Sequence, residues 1–241
     1  MAEVMQKFGR IPDIDAAASG EDVWDGEGAY AWPAAATTMN ISSSDATDTA
    51  AGDGAQTARI FGLDANYAET SVDMGMSGQS GVEISTDFLR VYRAYALTVG
   101  TDGVNAGDIW IGTGTITDGV PAVKYAGILA GLGQTLMSVY TVPVSLADGE
   151  AINGGKIIRW YGTVGAGQAA YATIALQTRE LGGSWRTRRV SGIGEGGGVD
   201  ETFSQGLDVP AKTDIRVRVL HNGVINSAIC AGFDIDFNTS L

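Results

Sequence analysis

The chain has 241 residues, 44% of them hydrophobic and 18% charged, a balance that argues for a folded globular protein and against disorder. A net charge of −13 and a pI near 4.3 count against binding to nucleic-acid backbones, which takes clustered lysine and arginine. Thirty-five glycines beside only five prolines, with no collagen period, point to many tight turns between short strands.

The charge is uneven: residues 1 to 87 hold 3 basic and 15 acidic side chains, the remainder 12 and 13, which suggests two different surroundings. The single cysteine, Cys230 in SAICAGF, has no internal disulfide partner and reads as a small core hydrophobe. The first twenty residues lack the pattern of a signal peptide, and no stretch is long and apolar enough for a membrane span. Synthesis in a cytoplasm without export is therefore expected.

Residues 1–35 show little period-2 alternation and read as an extended N-terminal arm, ordered by contacts made in an assembled particle. Trp24, Tyr30 and Trp32 sit in an irregular context ending at Pro33, so their rings are expected to anchor the arm as assembly contacts. Next comes SSSDATDTAAGDGAQT, where Asp45, Asp48 and Asp53 suit either a hard cation such as Ca²⁺ or a solvated loop capping its own backbone. The second reading is favoured because the EF-hand spacing is absent, and no cofactor or metal is expected.

Beyond the arm, strands are predicted at about 37–43, 56–62, 67–74, 80–85, 88–98, 107–115, 121–130, 134–145, 151–163, 169–179, 184–191, 213–221 and 226–237. The clearest is DIRVRVL, with Ile215, Val217 and Val219 facing one way and Arg216 and Arg218 the other. Between the runs lie TDGVNAGD, TDGVP, LADGE, NGG and GEGGGVD, all turn chemistry. The stretch from Ala122 to Met137 is the best helix candidate, but glycines at 127, 131 and 133 argue against it. The expected fold is all-β: an antiparallel β-sandwich of jelly-roll type, with residues 36–241 as its body and an inserted lobe left open.

Few residues suggest chemistry. His221, the only histidine, ends a strand with no metal-ligand partner nearby. No nucleophile elbow supports a catalytic triad. The glycines of GIGEGGG lack the helix and lysine of a phosphate cradle and read as a turn. Asp234 and Asp236 alternate with Phe233, Ile235 and Phe237 as on a strand with one wet face. The one dense basic patch, Arg186, Arg188 and Arg189, suits either an intersubunit contact against an acidic neighbouring copy or a solvated strand face above a buried Trp185.

The order of features in the first half, WDGEGAYAWP, the serine and aspartate loop, GLDANY, then FLRVYRA and NAGDI, resembles virion structural proteins of marine tailed phages. The residues that carry the match are Trp24, Gly26, Gly28, Tyr30, Trp32 and Pro33, then Gly62, Leu63, Asp64, Asn66 and Tyr67. They continue with Phe88, Leu89, Arg90, Val91, Arg93 and Ala94, and finally Asn105, Gly107 and Ile109. The resemblance spans roughly residues 22 to 112. It implies a non-enzymatic, multicopy component of the virion, such as a capsid decoration or cement protein or a head fibre, that contacts its own copies and the major capsid protein, with no direct nucleic acid and no membrane. Two alternatives stand beside it. One is a tail or fibre domain binding carbohydrate through Trp110, Trp160, Tyr161 and Trp185; the other is a glycoside hydrolase with paired carboxylates.

Overall fold

The computed structural model describes residues 3–14, 20–165, 171–222 and 227–237. In chain order the strands are β1 Glu3–Ile14, β2 Glu21–Asp22, β3 Asn40–Ser43, β4 Ala55–Leu63, β5 Glu69–Gly75, β6 Val82–Glu83, β7 Arg90–Val99 and β8 Ile109–Thr117. They continue with β9 Val120–Ile128, β10 Val139–Thr141, β11 Gly154–Val164, β12 Tyr171–Arg179, β13 Arg186–Gly194, β14 Gly198–Pro210, β15 Asp214–Asn222 and β16 Ser227–Phe237. Every pairing between them is antiparallel, and the described residues contain no helix. The all-β expectation therefore holds, including for Ala122 to Met137, whose first part is β9.

The chain divides into two compact units, Met1–Tyr30 with Met137–Leu241, and Ala31–Leu136. This differs from an arm over 1–35 and a body over 36–241. The first unit has two sheets, with strand orders β1-β16-β11-β14 and β10-β15-β12-β13, and β2 also pairs with β15. They face each other across a core in which Ile157, Ile174, Leu176, Ile215, Val217, Val219, Phe233, Ile235 and Phe237 are fully buried. Tyr140 of one sheet lies 6.3 Å from Phe237 of the other, ring to ring. The alternation read in DIRVRVL is observed, because Ile215, Val217 and Val219 line this core.

β1 corrects the arm expectation. It pairs with β16 from Glu3↔Phe237 to Ile11↔Ile229, so these residues form an edge strand of the sheet. Their amphipathic signal is scrambled: Lys7 is turned inward, buried over the Tyr140 ring, while Val4 and Phe8 on the opposite face are 49% and 41% exposed. An inward charge, the bulge between Ile11 and Ile14 and the nearby Pro12 are the features by which natural edges avoid pairing with foreign strands.

The second unit has sheets of order β6-β3-β8-β9 and β5-β4-β7. Its core includes Met39, Ile41, Ile60, Leu63, Phe88, Ile109 and Ile128, all fully buried. The β8–β9 hairpin turns through Asp118 (φ 49°) and Gly119 (φ 79°), the left-handed pair that a two-residue hairpin with native twist demands. That is why TDGV reads so clearly as a turn.

Candidate functional site

Trp24, Tyr30 and Trp32 were expected on an assembly surface, but the first two lie inside the chain. Trp24 is 2% and Tyr30 4% exposed. The Trp24 indole Nε1 donates to the Gly28 carbonyl at 3.1 Å, Tyr30 packs edge-on at 5.2 Å, and the Tyr30 amide donates to Asp22 at 2.9 Å. The glycines between them are structural, since a Cβ on Gly26 would enter the Trp24 ring. The W-x-G-x-G-x-Y segment is thus a loop closed on itself. Trp32 is half-buried in the other unit, where the Arg90 guanidinium lies 5.2 Å over its ring and donates to the Pro33 carbonyl at 2.5 Å.

This Arg90 contact joins two of the segments singled out in the sequence, W-P and F-L-R-V, and other residues of that pattern are architectural too. Asp64 accepts from the amides of Asn66 and Ala68 in the β4–β5 turn. Asn105, buried, donates to the carbonyls of Gly107 and Leu129 and accepts from the Gly133 amide. Within the pattern, Arg93 is exposed.

The three acidic residues weighed for Ca²⁺ are each committed elsewhere. Asp48 is fully buried and accepts from the Ser43 hydroxyl and from the amides of Ala55, Ala106 and Gly107 at 2.6 to 2.9 Å. Asp45 accepts from the amide and hydroxyl of Thr47, which holds its carboxyl below the usual range, the hydroxyl contributing most. Asp53 accepts from the Thr101 hydroxyl. Among the described residues no group of three or more potential metal ligands comes together. The loop caps its own backbone.

The arginine patch divides. Arg189 is bonded to Glu201 at 3.2 Å and lies 4.7 Å over the Phe203 ring. Glu201 also accepts from the Trp160 indole at 2.9 Å, and this bond, with a smaller contribution from Arg189, holds its carboxyl below the ordinary glutamate range despite the burial that opposes it. Together they close the sandwich between edge strands β13 and β14. Arg186 is exposed and Arg188 half-buried. Neighbouring Trp185 is clasped by Arg216 at 3.9 Å and Arg179 at 4.6 Å. Behind them Asp22, fully buried, pairs with Arg216 and Arg218, and Asp214 pairs with Arg179. The polar face read from Arg216 and Arg218 is a covered ion-pair layer.

Of the aromatics weighed for sugar stacking, Trp110 and Trp160 are core, 5% and 1% exposed. Tyr161 is on the solvent face of the β1-β16-β11-β14 sheet, nearly parallel to Phe8 with centroids 6.4 Å apart. The stack stands over Gly232, where a Cβ would meet the Lys7 carbonyl and, at 2.7 Å, the Tyr161 hydroxyl. Asp234, 5% exposed, lies 3.8 Å from Arg159, and burial pushes its carboxyl upward. The GIGEGGG glycines form the β13–β14 turn, with Gly197 donating to Gly194 at 2.9 Å. Cys230 is half-buried, and burial pushes its thiol up. The side chain of His221 lies outside the described residues.

Phe8, Phe61 and Tyr95, which apolar alternation does not single out, place their rings on solvent faces of sheets. The available signal was an aromatic at the polar positions of a strand, as in the alternation of ARIFGL.

The fold therefore defines an antiparallel all-β protein whose candidate surfaces are sheet faces and edges. No protein-family model matches the chain, and no curated protein matches it. Among solved structures it is similar to "Structure of infectious bursal disease virus Gx strain", at 9% identity and a TM-score of 0.24 over 99% of this chain and 73% of that one. It is also similar to "Crystal structure of infectious bursal disease virus VP2 subviral particle", at 10% identity and a TM-score of 0.15 over 100% and 74%. These likenesses to structures of a virus and a subviral particle are too distant to carry an argument.

Proposed function

We propose that the chain is a non-enzymatic structural protein of a virus particle, present in many copies as a capsid decoration or cement protein of a tailed phage. The observation that carries this reading is the topology of the first unit. Taking β2 and β10 as the two halves of one strand, its eight strands in chain order fill two facing sheets in the orders one-eight-three-six and two-seven-four-five. We read those strand orders as a jelly roll, an architecture used by viral capsid domains. The phage-like pattern in residues 22 to 112 points the same way. In this reading Arg186 and Arg188 are the intersubunit contacts, and neighbouring copies and the major capsid protein are the partners.

Purified particles from an infected host test it: the chain is expected at a fixed stoichiometry in the mature head, with density traceable to it by electron microscopy. Its absence from particles, or its presence only in the soluble lysate, overturns the reading. A second reading, a tail or head-fibre module that binds carbohydrate, is favoured by one observation, the Phe8 and Tyr161 stack on an open sheet face. Jelly rolls also serve as lectin domains. Glycan-array binding lost on Tyr161→Ala supports that role, and a blank array removes it.

A further inference from the structure

The second unit carries 11 acidic and 4 basic side chains, and its four cations have different fates. Arg90 is buried against Trp32 and Pro33. Lys124, half-buried, lies 4.2 Å over the Trp110 ring. Arg59 is bidentate to Asp73 at 2.6 and 2.7 Å. Arg93 is exposed and has no carboxylate within ion-pair distance among the described residues.

Arg93 stands on the solvent face of the β5-β4-β7 sheet, whose other face buries Ala58, Ile60 and Ala94 completely. Its guanidinium lies 5.8 Å over the Phe61 ring and 5.6 Å over the Tyr95 ring, and the two rings are themselves 5.7 Å apart. Two aromatic side chains in the middle of a wet sheet face are out of place for solvation alone. Here they flank one arginine whose donors meet no hydrogen-bond acceptor among the described residues, and contact with the two rings narrows the side-chain freedom left to lose on docking.

A guanidinium presented in this way takes a carboxylate. The chain itself supplies the matching surface: copies of net charge −13 repel one another and approach favourably where a cation of one meets acids of the next. We infer that the Arg93, Phe61 and Tyr95 face is a contact surface for an acidic patch on a second copy of this chain. This rests on the multicopy reading above and adds a contact surface to it.

The test is sedimentation velocity of the full chain over a concentration series at low and high salt. The wild type is expected to self-associate, less so at high salt. Arg93→Glu is expected to raise the dissociation constant by ~10-fold or more, with Arg93→Gln intermediate. Circular dichroism and melting temperature check that both variants fold, as an exposed position allows. A wild type that stays monomeric, or a folded Arg93→Glu chain that associates as the wild type does, overturns the inference. So does a monomeric chain that binds polyuronate through Arg93, which would assign the face to an acidic glycan. Incorporation into particles is measured separately, so loss of this contact and loss of the virion role are distinguishable.

Discussion

Asp48 and Asp53 come from the same acidic loop, yet one is a buried hub and the other an exposed hydroxyl acceptor. Asp48→Asn replaces one acceptor oxygen with an NH2 group that faces backbone amides. With buried donors left unpaired, a loss of about 3 kcal/mol in chemical denaturation is expected, while millimolar Ca²⁺ leaves the melting temperature of the wild type unchanged. Asp234 behaves in the opposite sense. Burial raises its folded-state pKa, with Arg159 opposing, so the folded state holds this proton more tightly than the unfolded chain, where an aspartate titrates near ~3.9. The penalty is absent below that pH and develops as pH rises through the folded pKa. Asp234→Asn is therefore expected to be more stable than the wild type at pH 7, with the gain shrinking toward pH 4. A gain that is constant with pH would show that the carboxylate charge is not its source.

At the scale of elements, the strands that the sequence concealed are those whose inward positions are polar. β1 turns Lys7 into the sandwich, and β14 places Glu201 beside Trp160. Period-2 reading counts apolar residues, so each strand lost its signal where a cross-sheet partner had made a polar side chain acceptable. In the isolated protein, with no particle present, the backbone amides of Met5 to Ile11 that pair with β16 are expected to show slow hydrogen exchange. Exchange at the rate of an unstructured peptide would restore the assembly-dependent arm. Conversely, β4, β7, β12, β15 and β16 were legible because their core-facing positions are almost wholly apolar.

For the whole molecule, the second unit interrupts a single strand of the first. β2 and β10 run in the same direction along one edge of β15, β2 ending at Asp22 opposite Arg218 and β10 beginning at Val139 opposite Arg216. Val23 and Ser138 meet opposite Val217: the Val23 amide donates to the Val217 carbonyl at 2.9 Å, and the Val217 amide to the Ser138 carbonyl at 3.2 Å. Trp24 and Met137 then bridge as the chain departs and returns. Excising residues 31–136 and joining Tyr30 to Met137 with a short glycine and serine linker should leave a β-rich chain that melts cooperatively, since Trp24, against which Tyr30 packs, already bridges to Met137. A product without a cooperative transition would mean that the first unit depends on the second for its fold.

Composition, turn chemistry and apolar alternation were enough by themselves to specify an antiparallel all-β chain and most strand positions, because those features depend on local backbone preference and one-sided burial. Only the tertiary structure decided that the N-terminal segment is an edge strand, that Trp24 and Tyr30 pack internally, and that Arg189 closes a sandwich while Arg93 remains open. Each of those outcomes depends on which distant side chain lies opposite, and spacing along the chain carries no record of that.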